Sequence, residues 1–446
     1  MSGIELSLVA FGLLLLAIFL RVPIAAAMAV TGFVGSWYVL GNPNAVLNQM
    51  KSLTYDTFSS YSLSIVPLFL LMGQFATKSG MSARLFTAAS DWLGHRKGGM
   101  AIASVGACAG FGAVCGSSLA TASTMGQLAL PEMRKRGYSD ALATGVLAAG
   151  GTLGILIPPS VILVIYSILT EQNIVKMFVA ALIPGLLAAA GYVLAVMVYV
   201  RIWPDSATPA PRVPYQQRMR SLVQVWPVVV IFGLVIGGIA ADWNWIRPGT
   251  QALFSPTEGA AVGAAATGLY GLWTGGLNRK TFADCILQTA SASAMIFFIV
   301  LGAQLFNTFL AFTQTPQAIA DWVTGQGYAP MLILILMLVF YLVLGCVMDS
   351  LSMILLTIPI FFPIIESLDF GMSAEMTAIW FGILALIVVE VGLITPPVGM
   401  NLFIIQSMAK DIPIQRTYQG VLPFLMSDFI RVVLLLYFPA IALWLI

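Results

Sequence analysis

Charge is scarce in this sequence. Only 9% of its 446 residues are charged, while 59% are hydrophobic. A soluble domain carries about 25% charged residues, so this chain could not cover a water-facing surface, and a soluble globular fold is excluded. The charges present nearly cancel, at net +2, which leaves no footprint for nucleic acid. Histidine is almost missing. The single one, His95, sits in the polar run Gly94-His95-Arg96-Lys97 and reads as part of a solvated loop, not as a catalytic base. Cysteine is sparse too: Cys108, Cys115, Cys285 and Cys346 form no Cys-x-x-Cys pair and no Cys/His cluster. They offer no framework for structural zinc and read as small buried hydrophobes.

Long apolar runs are what the sequence does have. A bilayer crossing needs about 20 apolar residues. Divided at charged and Pro/Gly punctuation, the chain yields candidate crossings at 4–20, 22–40, 61–77, 141–170, 177–200, 222–241, 257–276, 282–312, 375–407 and 421–446. The first lacks a basic leader and a small-residue cleavage site, and reads as a retained helix rather than a signal peptide. The intervals 98–133 and 329–366 are also apolar, but Gly116-Ser117-Ser118 and Met348-Asp349-Ser350 interrupt their middles. Each reads as a re-entrant hairpin. Asp56 is expected in a polar loop. The runs ending in Asp91-Trp92 and Asp321-Trp322 read as arms along the membrane surface. Trp37, Trp203, Trp226, Trp243, Trp245 and Trp273 fit interfacial anchors.

Positive charge orients the spans. With the Arg-rich loop 201–220 inside and the crossings alternating, only Lys51, Lys176 and Arg247 fall outside and Arg431 falls within the last helix, leaving 16 of 20 Lys and Arg inside. Both termini are then periplasmic. The first hairpin is flanked by Arg96-Lys97 and Arg134-Lys135-Arg136 and opens inward. The second is flanked by Asp321, Glu366, Asp369 and Glu375 and opens outward.

Four pairs of motifs repeat in the same order. Gly154-Ile155-Leu156-Ile157-Pro158-Pro159 resembles Gly392-Leu393-Ile394-Thr395-Pro396-Pro397, and Ser117-Ser118-Leu119 resembles Asp349-Ser350-Leu351. Asp91-Trp92 and Ile183-Pro184 pair with Asp321-Trp322 and Leu422-Pro423. Residues 1–200 and 222–446 thus read as two repeats joined by a cytoplasmic linker at 201–221. Each holds five crossings and a hairpin, so the second inserts upside down. That is the architecture of secondary transporters, whose sites lie at broken helices near the midplane.

A broken helix survives in hydrocarbon only around a cavity, ligand or ion. The breaks fall at 112–118, 151–159, 345–350 and 391–399. Gly150-Gly151-Thr152 with Pro158-Pro159, and Thr395-Pro396-Pro397-Val398-Gly399, release carbonyls from the helical ladder. Freed carbonyls and a hydroxyl suit a hard monovalent cation, and two breaks suggest two sites. Ser117 and Ser118 open a helix whose free N–H groups favour an anion, with Thr121 one turn on. Asp349 and Glu390 are carboxylates inside apolar runs, which are functional by default. Asn401 follows the second break. The rival readings are packing of small residues, bare proline kinks, a passive channel, and an intramembrane enzyme that would lack a base.

These stretches resemble the large membrane subunit of tripartite ATP-independent periplasmic (TRAP) transporters. The likeness lies in Phe111 to Thr121, Gly154 to Ser160, Phe254-Ser255-Pro256-Thr257-Glu258, Met348-Asp349 through Pro359 and Pro363, and Gly392 to Leu402. It implies an all-α inner-membrane protein of elevator type, driven by sodium and importing organic acids such as C4-dicarboxylates or sialic acid. It also implies a small four-helix membrane subunit (Q), a periplasmic solute-binding protein (P) and no cofactor beyond at least two sodium ions. One sodium site would be Gly112, Cys115, Gly154, Ile157 and Pro158; the other would be Gly345, Gly392, Thr395 and Val398. Ser117, Ser118, Asp349 and Asn401 would face the substrate, with Thr121 and Ser350 beside them. Two departures stand out. Cys115 stands where the family usually has serine, which a carbonyl ligand survives and a hydroxyl ligand does not. The stretch 241–253 is longer than the usual turn and lies where a binding protein would dock. The resemblance also places the fold in the ion-transporter superfamily, and a stand-alone sodium/carboxylate symporter of that superfamily is the near alternative.

Overall fold

The computed structural model describes residues 3–240 and 252–446, and all their regular structure is helical. The chain is an all-α polytopic membrane protein. Among the described residues, five single helices are long and apolar enough to cross a membrane, and two bent pairs raise this to seven. Five shorter apolar helices include Gly3–Phe19, Ile24–Leu40 and three of the four hairpin arms. A 17-residue helix is about 26 Å long, short of a hydrocarbon core of about 30 Å.

One group of helices is built on small residues. Gly32 of Ile24–Leu40 lies against the backbone of Arg279–Phe312, where a Cβ would come within 2.6 Å of Phe306 N. Pro256–Trp273, rich in Gly and Ala, packs along Ile65–Lys78, with Gly263 facing the Met72 side chain and Gly268 the Phe75 ring. Its start is fixed by a capping box between Ser255 and Glu258. Small faces of this kind drive helix association in lipid, where apolar burial supplies no force.

The second group holds both hairpins and both broken helices, packed with Ile174–Ile202 and Ile414–Tyr437. The first hairpin is Gly99–Cys115 and Ser118–Lys135; the second is Pro330–Gly345 and Ser350–Glu366. The first broken helix is Asp140–Leu156 and Val161–Leu169, bent by 46°; the second is Ala374–Gly392 and Met400–Met408. The arms expected at the membrane surface are the helices Met81–Leu93 and Thr315–Gly325.

Several boundaries differ from the sequence reading. Asp56 lies on a helix, Pro43–Ser59, not in a loop. Asn42 caps that helix through Asn44 N–H and Pro43 begins it, a start signal that outweighs its polar composition. The linker ends in a helix, Tyr215–Val223, which leads into Trp226–Ala240. The last crossing starts earlier, at Ile414, and ends at Tyr437. The expected insertion at 241–253 lies outside the described residues except for its last two.

Two ion pairs join ends that the charge count puts on a common side. Arg134 closes the first hairpin and holds Asp411 after the second broken helix, at 2.5 and 3.2 Å, with Asp140 at 3.3 Å. Lys176 meets Glu375 at 2.5 Å, joining the starts of Ile174–Ile202 and Ala374–Gly392.

Candidate functional site

Each hairpin tip rests on the broken helix of its own half through a pair of glycines. A Cβ on Gly112 would lie 2.4 Å from Gly154 Cα, and one on Gly392 would lie 2.6 Å from Gly345 Cα. Such backbone contact admits no side chain. Both Pro-Pro bonds, Pro158-Pro159 and Pro396-Pro397, are cis.

The tips are built alike. Gly116, at φ +64°, ends the first arm in a left-handed conformation that glycine adopts without penalty. Ser117 then caps the returning helix through Ala120 N–H. In the second tip Asp349 does the same, accepting from Ser352 N–H at 3.0 Å and from the Ser352 hydroxyl at 2.5 Å. The half-buried Asp349 carboxylate is thus engaged by the start of its own helix.

At the first break, Ser117, Thr121, Gly112 and Gly154 converge. A Cβ on Gly154 would meet Thr121 Oγ1 at 2.5 Å and the Ser117 carbonyl oxygen at 2.8 Å. Pro158 and Pro159 have no N–H to return to the carbonyls of Gly154 and Ile155, four residues back. Every residue from 151 to 160 is buried. The Cys115 carbonyl faces away, toward Gly73 on Ile65–Lys78, where a Cβ would meet it at 2.8 Å. Ile157 reaches toward Gly185.

The second break satisfies more of itself. The Gly392 carbonyl accepts from Thr395 N–H and the Leu393 carbonyl from Asn401 N–H; Cys346 of the tip accepts from Gly399 N–H. The Thr395 hydroxyl donates to the Val391 carbonyl at 2.7 Å, leaving its lone pairs free. Tyr418 donates to the Pro397 carbonyl at 2.5 Å. Thr395 and Val398 are half-buried and Pro397 is exposed, unlike the enclosed first break.

Of the contacts that cross between the halves, two lie at the tips and breaks. Asn401 Nδ2 donates to the Ala148 carbonyl of the first broken helix at 3.3 Å. Glu390, wholly buried, accepts the Ser118 hydroxyl on one carboxyl oxygen and the Ser350 hydroxyl, at 2.6 Å, on the other. Ser118 and Ser350 therefore point their protons at Glu390 and not into a cavity.

Three wholly buried oxygens at these elements have no hydrogen-bond partner: Thr121 Oγ1, Ser160 Oγ and Asn401 Oδ1. Buried polar atoms are ordinarily satisfied. Ser160 escaped the sequence reading, although its place directly after Pro158-Pro159 was a signal. A buried network behind the first break was also missed: Thr152 meets the Tyr192 hydroxyl at 2.9 Å, Tyr192 donates to Asp428 at 2.8 Å, and Asp428 pairs with Arg431 at 2.8 Å. Two charges three residues apart in the apolar run Phe424 to Arg431 could have marked it. Among the described residues no three His, Cys, Asp or Glu side chains gather as a metal cluster. The oxygens here are carbonyl, hydroxyl and amide, a donor set for a hard cation rather than zinc.

Residues 11–441 match the model of the family described as tripartite ATP-independent periplasmic transporter, DctM component. Among curated proteins, the chain is 35% identical over 408 residues to the C4-dicarboxylate TRAP transporter large permease protein DctM of Pseudomonas aeruginosa, covering 91% of this chain and 90% of that one. It is 30% identical to the sialic acid TRAP transporter permease protein SiaT of Haemophilus influenzae, covering 96% of this chain and 66% of that one. It is 28% identical to the isethionate TRAP transporter permease protein DctMQ of Oleidesulfovibrio alaskensis, covering 98% and 66%. Among solved structures it is similar in fold to the YdaH transporter of Alcanivorax borkumensis, with TM-score 0.63, 15% identity and 89% of each chain covered.

Proposed function

Because this chain belongs to the DctM component family of tripartite ATP-independent periplasmic transporters, a transporter subunit and not an enzyme, we propose that it is the permease of a sodium-coupled organic acid importer. It works in the inner membrane with a small membrane subunit and a periplasmic solute-binding protein. Its halves are inverted repeats, and the group of hairpins and broken helices is the moving part of an elevator. The substrate is a small organic acid, since relatives are named for C4-dicarboxylates, sialic acid and isethionate.

The observation that carries this reading is the set of three buried, unpartnered oxygens of Thr121, Ser160 and Asn401 at the first tip and the two breaks. Oxygens held out of water with no protein donor suit a cation, or the polar groups of a solute. The first sodium ion would take the Gly154 carbonyl and its neighbours, with Thr121 Oγ1 at hand. The second would take Thr395 and the backbone around Gly345 and Gly392. Sodium at these sites would fix the tips and complete the anion site between them, so that sodium and acid each raise the affinity for the other.

The test is uptake of labelled acids into proteoliposomes holding this chain and its small membrane subunit, with sodium and the binding protein each supplied or withheld. Uptake should need both. Uptake without the binding protein would favour a stand-alone symporter, and sodium-independent uptake would overturn the cation sites.

A further inference from the structure

Among the described residues, Glu390 is the carboxylate whose two oxygens take one hydroxyl from each hairpin tip. Its side chain is wholly buried, and among the described residues it forms no ion pair. Its two carboxyl oxygens instead accept one hydroxyl from each hairpin tip, Ser118 of the first and Ser350 of the second. It also stands two residues before Gly392, whose backbone lies against Gly345 of the second tip. Ser118 is close to the first break in turn: its carbonyl oxygen would lie 3.2 Å from a Cβ on Gly151. Ser118, Glu390 and Ser350 therefore form a short bridge of side chains from the first tip and break to the second.

We infer that Glu390 is a positioning residue that ties the two tips into one unit, so that occupation of either break is felt at the other. A hydroxyl that donates to the carboxyl has its rotation fixed, and the helix start that carries it is fixed with it. If a cation at the second break shifts Gly392 and the turn of helix before it, Glu390 moves with them and takes Ser118 along. The bridge transmits in both directions, as linkage requires. This inference rests on the sodium reading above only for what is transmitted. The tie itself is independent of the ion.

The test is a set of double-mutant cycles on the purified full-length chain. Ser118→Ala, Ser350→Ala and the double variant are compared in the native background and again with Glu390→Leu; Glu390→Gln, which keeps an acceptor and the side-chain shape, serves if the leucine variant does not fold. Two quantities are read: melting temperature without sodium, and the sodium concentration giving half of the sodium-induced rise in melting temperature. In the native background the two serine changes should be non-additive, with half-saturation departing from additivity by about tenfold, the size found for residues sharing a hydrogen-bond network. With Glu390→Leu they should become additive, and the sodium response should lose its cooperativity; with Glu390→Gln the departure should shrink. Additive serine changes in both readouts with Glu390 intact would overturn the tie. A native chain that ignores sodium would overturn the sodium reading, while the sodium-free cycle would still decide the role of Glu390. Non-additive melting temperatures with additive sodium half-saturations would overturn the transmission and leave only a structural brace.

Discussion

At the scale of single residues, the site is defined as much by missing side chains as by present ones. Gly154 faces Thr121 Oγ1 and the Ser117 carbonyl at distances no Cβ tolerates. Gly154→Ala must push the first tip off its broken helix. The expected outcome is a loss of stability of about 1–3 kcal/mol, the usual cost of overpacking, together with a large rise in the sodium needed for uptake. Gly106→Ala is the matched control, because a Cβ there meets nothing within 4 Å; its melting temperature should stay level or rise slightly, since alanine favours the helix. Equal damage from both changes would show that the tip contact is unimportant. Asp349 is the second case. Its carboxylate caps its own helix, so Asp349→Asn, which retains a capping oxygen, should stay close to native in melting temperature, and Asp349→Ala should lose about 1 kcal/mol. If Asp349→Asn nonetheless stops uptake, the charge serves the substrate as well as the cap.

The helical elements show what was legible in the sequence and why the rest was not. Both hairpins and both breaks were readable, because proline and glycine act locally: a proline removes the donor four residues after a carbonyl wherever it stands. The chemistry of Pro158 makes a prediction at this scale. Pro158→Ala restores an N–H that can claim the Gly154 carbonyl. The sodium needed for half-maximal uptake should then rise by about tenfold, which is about 1.4 kcal/mol, while the helical content seen by circular dichroism is unchanged. An unaltered sodium requirement would remove Gly154 from the ligand set. The helix Pro43–Ser59 was misread because its composition is polar and its start signal is a single Asn-Pro step. Glu390 could be flagged as a buried acid, but its partners could not be named: Ser118 is 272 residues away, and nothing in either local sequence points to the other. Asp428 and Arg431 could likewise be flagged as charges in an apolar run, but their link to Tyr192 and Thr152 spans three helices and could not be named.

For the molecule as a whole, the ion pairs at its two ends give a handle on topology and acid stability. The Arg134 guanidinium hydrogen-bonded to Asp411 holds that carboxyl below the ordinary aspartate value of 3.8. A depressed pKa means that the pair stabilises the fold above the ordinary aspartate value and stops doing so as pH falls through the lower folded value. Asp411→Asn should therefore melt slightly below the native chain near neutral pH, and the gap should close in strong acid. The effect should be small, because the pair is exposed and screened by salt. A gap that persists in acid would mean that Asp411 acts by packing alone. At the opposite end, Lys176→Glu and Glu375→Lys should each weaken the chain a little and the double swap should recover it.

The unequal burial of the two breaks has a consequence for the order of traffic. Residues 151–160 are sealed on every side, while Pro397 of the second break reaches the protein surface. Two passengers held in these places would not be independent lodgers. On the proposed cation reading, the ion at the less enclosed second break would exchange before its neighbour, so the pair would behave as a stack in which the last ion to board is the first to leave.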